Sequence, residues 1–164
     1  MPATYEKIAT TTLGSAASSI TFSSIPSTYT DLRIVLVAKG DQDQNTSIRF
    51  NSDTATNYSY TRLSGNGTTA ESFTNSSVSN VLLGQSGIIE QFALITIDVF
   101  SYAGSTFKTL LSSNSNSTNG VDDTLNRLVG LWRSTSAINT VLLYQGAGNY
   151  VAGTTATIYG ILKA

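Results

Sequence analysis

Apolar and polar side chains alternate with a period of two along nearly the whole chain, as strands with one buried face require. In 31–39, DLRIVLVAK, the residues Leu32, Ile34, Leu36 and Ala38 share one face, and Arg33, Val35, Val37 and Lys39 share the other. A second run, FALITIDVF from Phe92 to Phe100, is apolar on both faces except at Thr96 and Asp98. Such a run is expected as a central strand covered on both sides. Weaker strands are expected at YEKIATTTL, SITFSSI, TSIRF, NYSYTRLSG, SNVLLG, TFKTLLSS, NRLVGLWRS, NTVLLYQ and TATIYGILK. Turn-forming stretches separate them: IPSTYTD, KGDQDQN, SGNGTT, GQSG, YAGS, SNSNSTNG and YQGAGNYVAGT.

Only GVDDTLNRLVGLW has room for a helical turn, capped by Asp122 or Asp123; a strand with an irregular entry is the preferred reading. About ten short strands with frequent turns predict an all-β fold, a two-sheet antiparallel sandwich or a barrel. No repeat or linker divides the chain, so residues 1–164 are expected to form one β-sandwich domain.

Composition narrows the function classes. Only 12% of residues are charged and the formal net charge is −1, about half the usual charged share. Ser, Thr and Asn supply the polar surface instead, a composition suited to an extracellular or particle-borne β protein. A nucleic-acid partner is not expected, since it calls for a basic face. Cysteine and histidine are both absent, which excludes disulfides, Cys or Ser–His nucleophiles, haem ligation and zinc fingers. No apolar run approaches a membrane span, and MPATYEKIATTTLG lacks the apolar core of a signal peptide. Synthesis in a host cytoplasm, with any outside location reached inside a particle, is the expectation. The sequons at Asn57 and Asn66 are those expected by chance in a Ser/Thr/Asn-rich chain.

Candidate chemistry is sparse. GDQDQNTSIRF begins like a calcium loop at Asp41, Asp43 and Asn45, but Thr46 and Ser52 stand where it needs a glycine and a carboxylate. With Asp53 nearby, a solvated hairpin loop is the better reading. Glu90, Asp98, Asp122 and Asp123 are the acids available for a glycosidase pair, and none sits in an aromatic, sugar-cleft setting. Asp98, inside an apolar run, is expected to pair with an arginine, such as Arg127 or Arg133, or to lie at a subunit contact. Trp132 beside Arg133 is either an interface anchor or a core residue at a strand end. GQSG and SGNG lack the strand–loop–helix setting of a phosphate loop. No catalytic, cofactor-binding or metal-binding residue is assigned, and the chain is not expected to be an enzyme.

Two stretches carry a resemblance. YEKIATTTLGSAASSITFSSIPSTYTDLRIVLVAKG at the start and GLWRSTSAINTVLLYQGAGNYVAGTTATIYGILKA at the end resemble the opening and ending of small jelly-roll-like virion proteins of tailed bacteriophages, of the marine and cyanobacterial type. The two stretches cover somewhat under half of the chain, and the middle matches only in texture. The resemblance implies a jelly-roll-like sandwich serving as a capsid decoration or cement protein, often trimeric, bound to the major capsid protein on the outside of the phage head. Its first and last strands would lie within the sheets, with Ile158, and with it Gly160 and Leu162, facing in. Tyr159, Ile161 and Lys163 would face another layer or a neighbour.

An ending flush with the final strand, and no visible shaft before Tyr5, favour a whole decoration unit over a fibre module. The alternative is a tail-fibre or tail-tip adhesin recognising host glycans through Tyr58, Tyr60, Tyr102 and Tyr150. A third reading, a depolymerase, is disfavoured by the scarcity of clustered carboxylates.

Overall fold

The computed structural model describes residues 5–85, 91–116 and 124–162. Within them the chain forms twelve strands and no helix. In order they are β1 (Tyr5–Thr12), β2 (Ser19–Phe22), β3 (Asp31–Ala38), β4 (Asn45–Phe50), β5 (Tyr58–Gly65) and β6 (Ala70–Val78). The chain continues through β7 (Val81–Gln85), β8 (Ala93–Phe100), β9 (Lys108–Asn116), β10 (Thr124–Trp132), β11 (Val141–Gln145) and β12 (Thr155–Ile161).

All pairings are antiparallel, and the strands make two sheets: β1-β12-β3-β8-β9-β10-β5-β6 and β2-β11-β4-β7. The order carries a simple meaning. Take away β5, β6, β9 and β10, and the quartets β1-β12-β3-β8 and β2-β11-β4-β7 remain, in which successive strands alternate between sheets except for β4 and β7, which pair within one. That is the jelly-roll winding of eight strands. The insertions β5–β6 and β9–β10 then widen one sheet from four strands to eight. The expected all-β sandwich of jelly-roll type is what the chain forms.

The strongest sequence signal holds residue by residue. On β3, Leu32, Ile34, Leu36 and Ala38 are fully buried, facing the smaller sheet's Ile20, Phe22, Ile48 and Leu143 in one core. Burying each such aliphatic side chain stabilises by about 1.5–3 kcal/mol. The run 92–100 differs from expectation. β8 is central in its sheet, but only Ala93, Ile95, Ile97 and Val99 are buried, while Phe92, Leu94 and Phe100 are exposed. The reason is layering: a second sheet covers one side of β8, and nothing among the described residues covers the other.

β6 is the strand that alternation misses. AESFTNSSV lies at the sheet edge with most residues exposed on both faces, so no buried stripe marks it. The irregular entry expected at 120–123 lies outside the described residues.

The chain's last strand lies inside the larger sheet, between β1 and β3. Ile158 and Gly160 face in, Leu162 is half-buried, and Tyr159 packs on Tyr5 with ring centroids 4.7 Å apart; Lys163 lies outside the described residues. Gly160 is required by packing: a Cβ there would lie 2.2 Å from the Tyr29 ring.

Candidate functional site: the outer face of the larger sheet

Because β-strand side chains alternate, widening the sheet to eight strands creates a second face as broad as the first. Seven strand spacings of about 4.8 Å make it about 34 Å across. Val37, Leu63, Leu94, Phe100, Leu125 and Val129 all project from this face, between 39% and 59% exposed. Register sets them in rows: Val37 pairs with Leu94, and Ser115 separates Leu94 from Leu125. Two rows along, past Thr96, Ser113 and Arg127, Leu111 lies between Asp98 and Val129.

Hydroxyls fill much of the remainder and satisfy one another. Thr61 and Thr74 are bonded at 2.7 Å, and Thr10–Thr157 and Thr12–Thr155 at 3.0 Å. Two shallow depressions indent the face. One, of about 400 Å³, is lined by Ser59, Thr61, Thr109, Val129 and Leu131 among others; the other, of about 240 Å³, includes Leu63, Leu125 and Arg127.

Charge on this face is largely cancelled. Arg33 and Asp98 are cross-strand partners joined by a two-pronged bond: Nε donates to Oδ1 at 2.6 Å and Nη2 to Oδ2 at 2.8 Å. Asp98 therefore pairs with Arg33, not with Arg127 or Arg133. Sequence distance hid this pair, since 65 residues separate two side chains that strand register sets side by side. Asp31 accepts the Ser101 N–H at 2.7 Å, leaving Lys7 and Arg127 as exposed charges of the face. An interface core is depleted of charge and rich in apolar area, and this face has both properties.

The other candidates resolve into structural roles. Trp132 is 2% exposed and packs between Phe50 and Tyr58, its Nε1 donating to Asp53 at 2.7 Å. It is a core residue. Arg133 ties the β4–β5 connection down through the carbonyls of Thr56 and Tyr58 and the Ser59 hydroxyl. Burial acts to raise the Asp53 pKa, but hydrogen bonds from Asn57, Trp132 and the Ala55 N–H outweigh it and hold the group below its ordinary value.

Asp41 precedes and Asp53 follows β4, whose six residues span about 17 Å at 3.3 Å per residue. They cannot share an ion. Asp41 instead accepts the Asn149 N–H at 2.7 Å and its side-chain amide at 3.1 Å, bonds that lower its pKa. Asp43 is exposed and Asn45 opens β4. Among the described residues no three His, Cys, Asp or Glu cluster as a metal site. Glu90, Asp122 and Asp123 lie outside the described residues.

The adhesin reading loses its residues. Tyr58, Tyr102 and Tyr150 are fully buried and Tyr60 nearly so. Each hydroxyl serves the fold: Tyr58 receives the Phe50 N–H, Tyr102 donates to the Pro26 carbonyl, Tyr150 bonds Thr46, and Tyr60 accepts from Asn75. Burial pushes the Tyr58 phenol up to about 12. The spacing of Tyr58 and Tyr60 in NYSYTRLSG already places both on one strand face, a signal that could have marked them as core.

No family model matches the chain, and no curated protein matches it. Among solved structures, one similar chain is the CBM2 module of Lactobacillus casei BL23 phage J-1 evolved Dit. The two share 7% identity with a TM-score of 0.20, over 94% of this chain and 76% of the other. A likeness of that size carries no argument about function.

Proposed function

We propose that this chain is a bacteriophage virion structural protein, a capsid decoration or cement protein that docks on the outer capsid surface and stabilises it. The observation that carries the reading is the outer face of the larger sheet, with six large exposed apolar side chains and its central ion pair neutralised. Six such side chains on one face, interspersed with hydroxyls that bond one another, are more exposed apolar surface than a solvated sheet face needs, and support a docking role. The resemblance of both chain ends to jelly-roll-like virion proteins supplies the partner, the major capsid protein.

A protein that binds only the assembled lattice stabilises it by mass action, without any chemistry of its own. The proposal therefore assigns no catalysis. It includes assembly as trimers, the arrangement that the resemblance favours, on the particle surface. The adhesin alternative has lost its four exposed tyrosines and is not favoured by them.

Copy number tests the reading. Quantitative mass spectrometry of purified particles, scaled to the major capsid protein, is expected to give tens to hundreds of copies, in fixed ratio to the lattice. A few copies per particle, tied to tail symmetry, would overturn it.

A further inference from the structure

The inner face of the larger sheet changes character along its length. Near one end, Trp132 and Tyr58 face the core across β10 and β5. Toward the other end the same two strands present Asn126 opposite Ser64, with Arg62 two residues before Ser64 on the same face. Beside them on β9, Asn114 and Asn116 are also buried. Buried polar groups require partners, and Asn114 and Asn116 have theirs.

A cleft of about 230 Å³ opens there, lined by Asn45, Arg62, Ser64, Thr124 and Asn126. Three strands build it, β4 from the smaller sheet and β5 and β10 from the larger. Asn126 is only 5% exposed. The Arg62 Nε and the Thr124 hydroxyl are buried and have no hydrogen-bond partner among the described residues.

Arg62 is held in place by an aromatic ring, its guanidinium carbon 4.1 Å from the Phe73 centroid. Burial is the largest influence on its pKa and lowers it. Glu71, exposed on the neighbouring strand opposite Ser64, acts on Arg62 through its charge but does not reach it as an ion pair; Arg33–Asp98 is the ion pair among the described residues. A partly desolvated guanidinium whose buried Nε has no acceptor and no carboxylate in direct contact is costly unless something supplies one.

We infer that this cleft binds a carboxylate-bearing sugar unit, its carboxylate against Arg62 and its hydroxyls against Asn45, Asn126, Thr124 and Ser64. The guanidinium fork matches a carboxylate, and amides and hydroxyls match ring hydroxyls as both donors and acceptors. The cleft's named lining is entirely polar, so an apolar ligand does not fit, and its volume suits a single sugar ring. The site opens from the inner face of the β5–β10 pair, away from the outer face assigned to docking, and does not depend on that assignment.

The test uses the full-length protein and NMR titration of the side-chain amides of Asn45 and Asn126. The probes are sodium glucuronate, glucose and sodium sulfate. Glucuronate is expected to shift both amides saturably, with glucose and sulfate each at least tenfold weaker. Arg62→Gln is expected to abolish the response, and Thr124→Val to weaken it several-fold with the melting temperature unchanged. No saturable shift with glucuronate overturns the inference, as does an equal response to glucose. A response to sulfate as strong as to glucuronate makes this a plain anion site and overturns the sugar assignment. If Arg62→Gln does not fold, Thr124→Val decides: undiminished binding there overturns the inference.

Discussion

The two outer faces of the sandwich are finished differently. On the smaller sheet, no large hydrophobic residue is exposed among the described residues. Leu82 and Leu142 are half-buried, and Tyr144 is covered by Arg49, whose guanidinium carbon lies 4.8 Å from the ring centroid, while Asn80 donates to its hydroxyl at 2.8 Å. The larger sheet's outer face receives no such cover and leaves six large apolar side chains in solvent. One face covers its apolar side chains and the other leaves them in solvent, the contrast on which the proposed docking rests. The insertions enlarge the difference: β10 adds Leu125 and Val129 and β5 adds Leu63 to a face where β3 and β8 already expose Val37, Leu94 and Phe100.

The largest expected effect comes from breaking the sheet that carries this face. Removing residues 156–164 takes out the strand between β1 and β3 and bares two new edges. The truncated chain is expected to be insoluble on expression. A soluble form with a cooperative unfolding transition would show that the jelly-roll quartet does not need its last member.

A matched pair of truncations separates the two sides of β8. Ile97→Ala, on the inner side, is expected to cost about 2–5 kcal/mol. Leu94→Ala, three residues earlier and facing outward, is expected to change stability by no more than about 0.5 kcal/mol. Urea unfolding of the isolated protein checks both. Equal losses would mean that the outer face is covered even in the free chain.

A smaller effect concerns acid. Asp53 is held below its ordinary pKa in the folded chain, so its contribution is present above the unfolded value of about 3.9 and is lost as pH falls through the folded value. Wild-type stability should therefore decline below about pH 4 more steeply than that of Asp53→Asn, with Trp132 fluorescence reporting because its indole donates to this carboxylate. Parallel pH profiles for the two proteins would remove Asp53 from the acid response.

How much of this was legible in the sequence depends on what each feature requires. β3 could be read directly, since a strand with one covered face writes its burial into every second residue. β8 reads as central, but an apolar run does not say which neighbouring layer is missing, so the pattern predicts Leu94 and Phe100 buried where the structure exposes them. β6 left no trace because an edge strand exposed on both faces has no stripe to show. The Arg33–Asp98 pair and the cleft around Arg62 needed strand register, which joins residues far apart in the chain. The local spacing at Asp41 and Asp43 is enough to set a calcium loop aside, but it cannot show that Asp41 is bonded to Asn149, 108 residues away.

Binding to particles tests the contrast between the two outer faces most directly. Wild-type protein would be compared with Leu94→Glu/Val129→Glu on the larger sheet and Ser19→Glu/Thr21→Glu on the smaller, on heads stripped of the native protein. All three should fold alike by circular dichroism. The larger-sheet pair is predicted to weaken binding at least 100-fold, while the smaller-sheet pair binds like wild type. Full binding by the larger-sheet pair, with loss in the smaller-sheet pair, would contradict the assignment of the docking face.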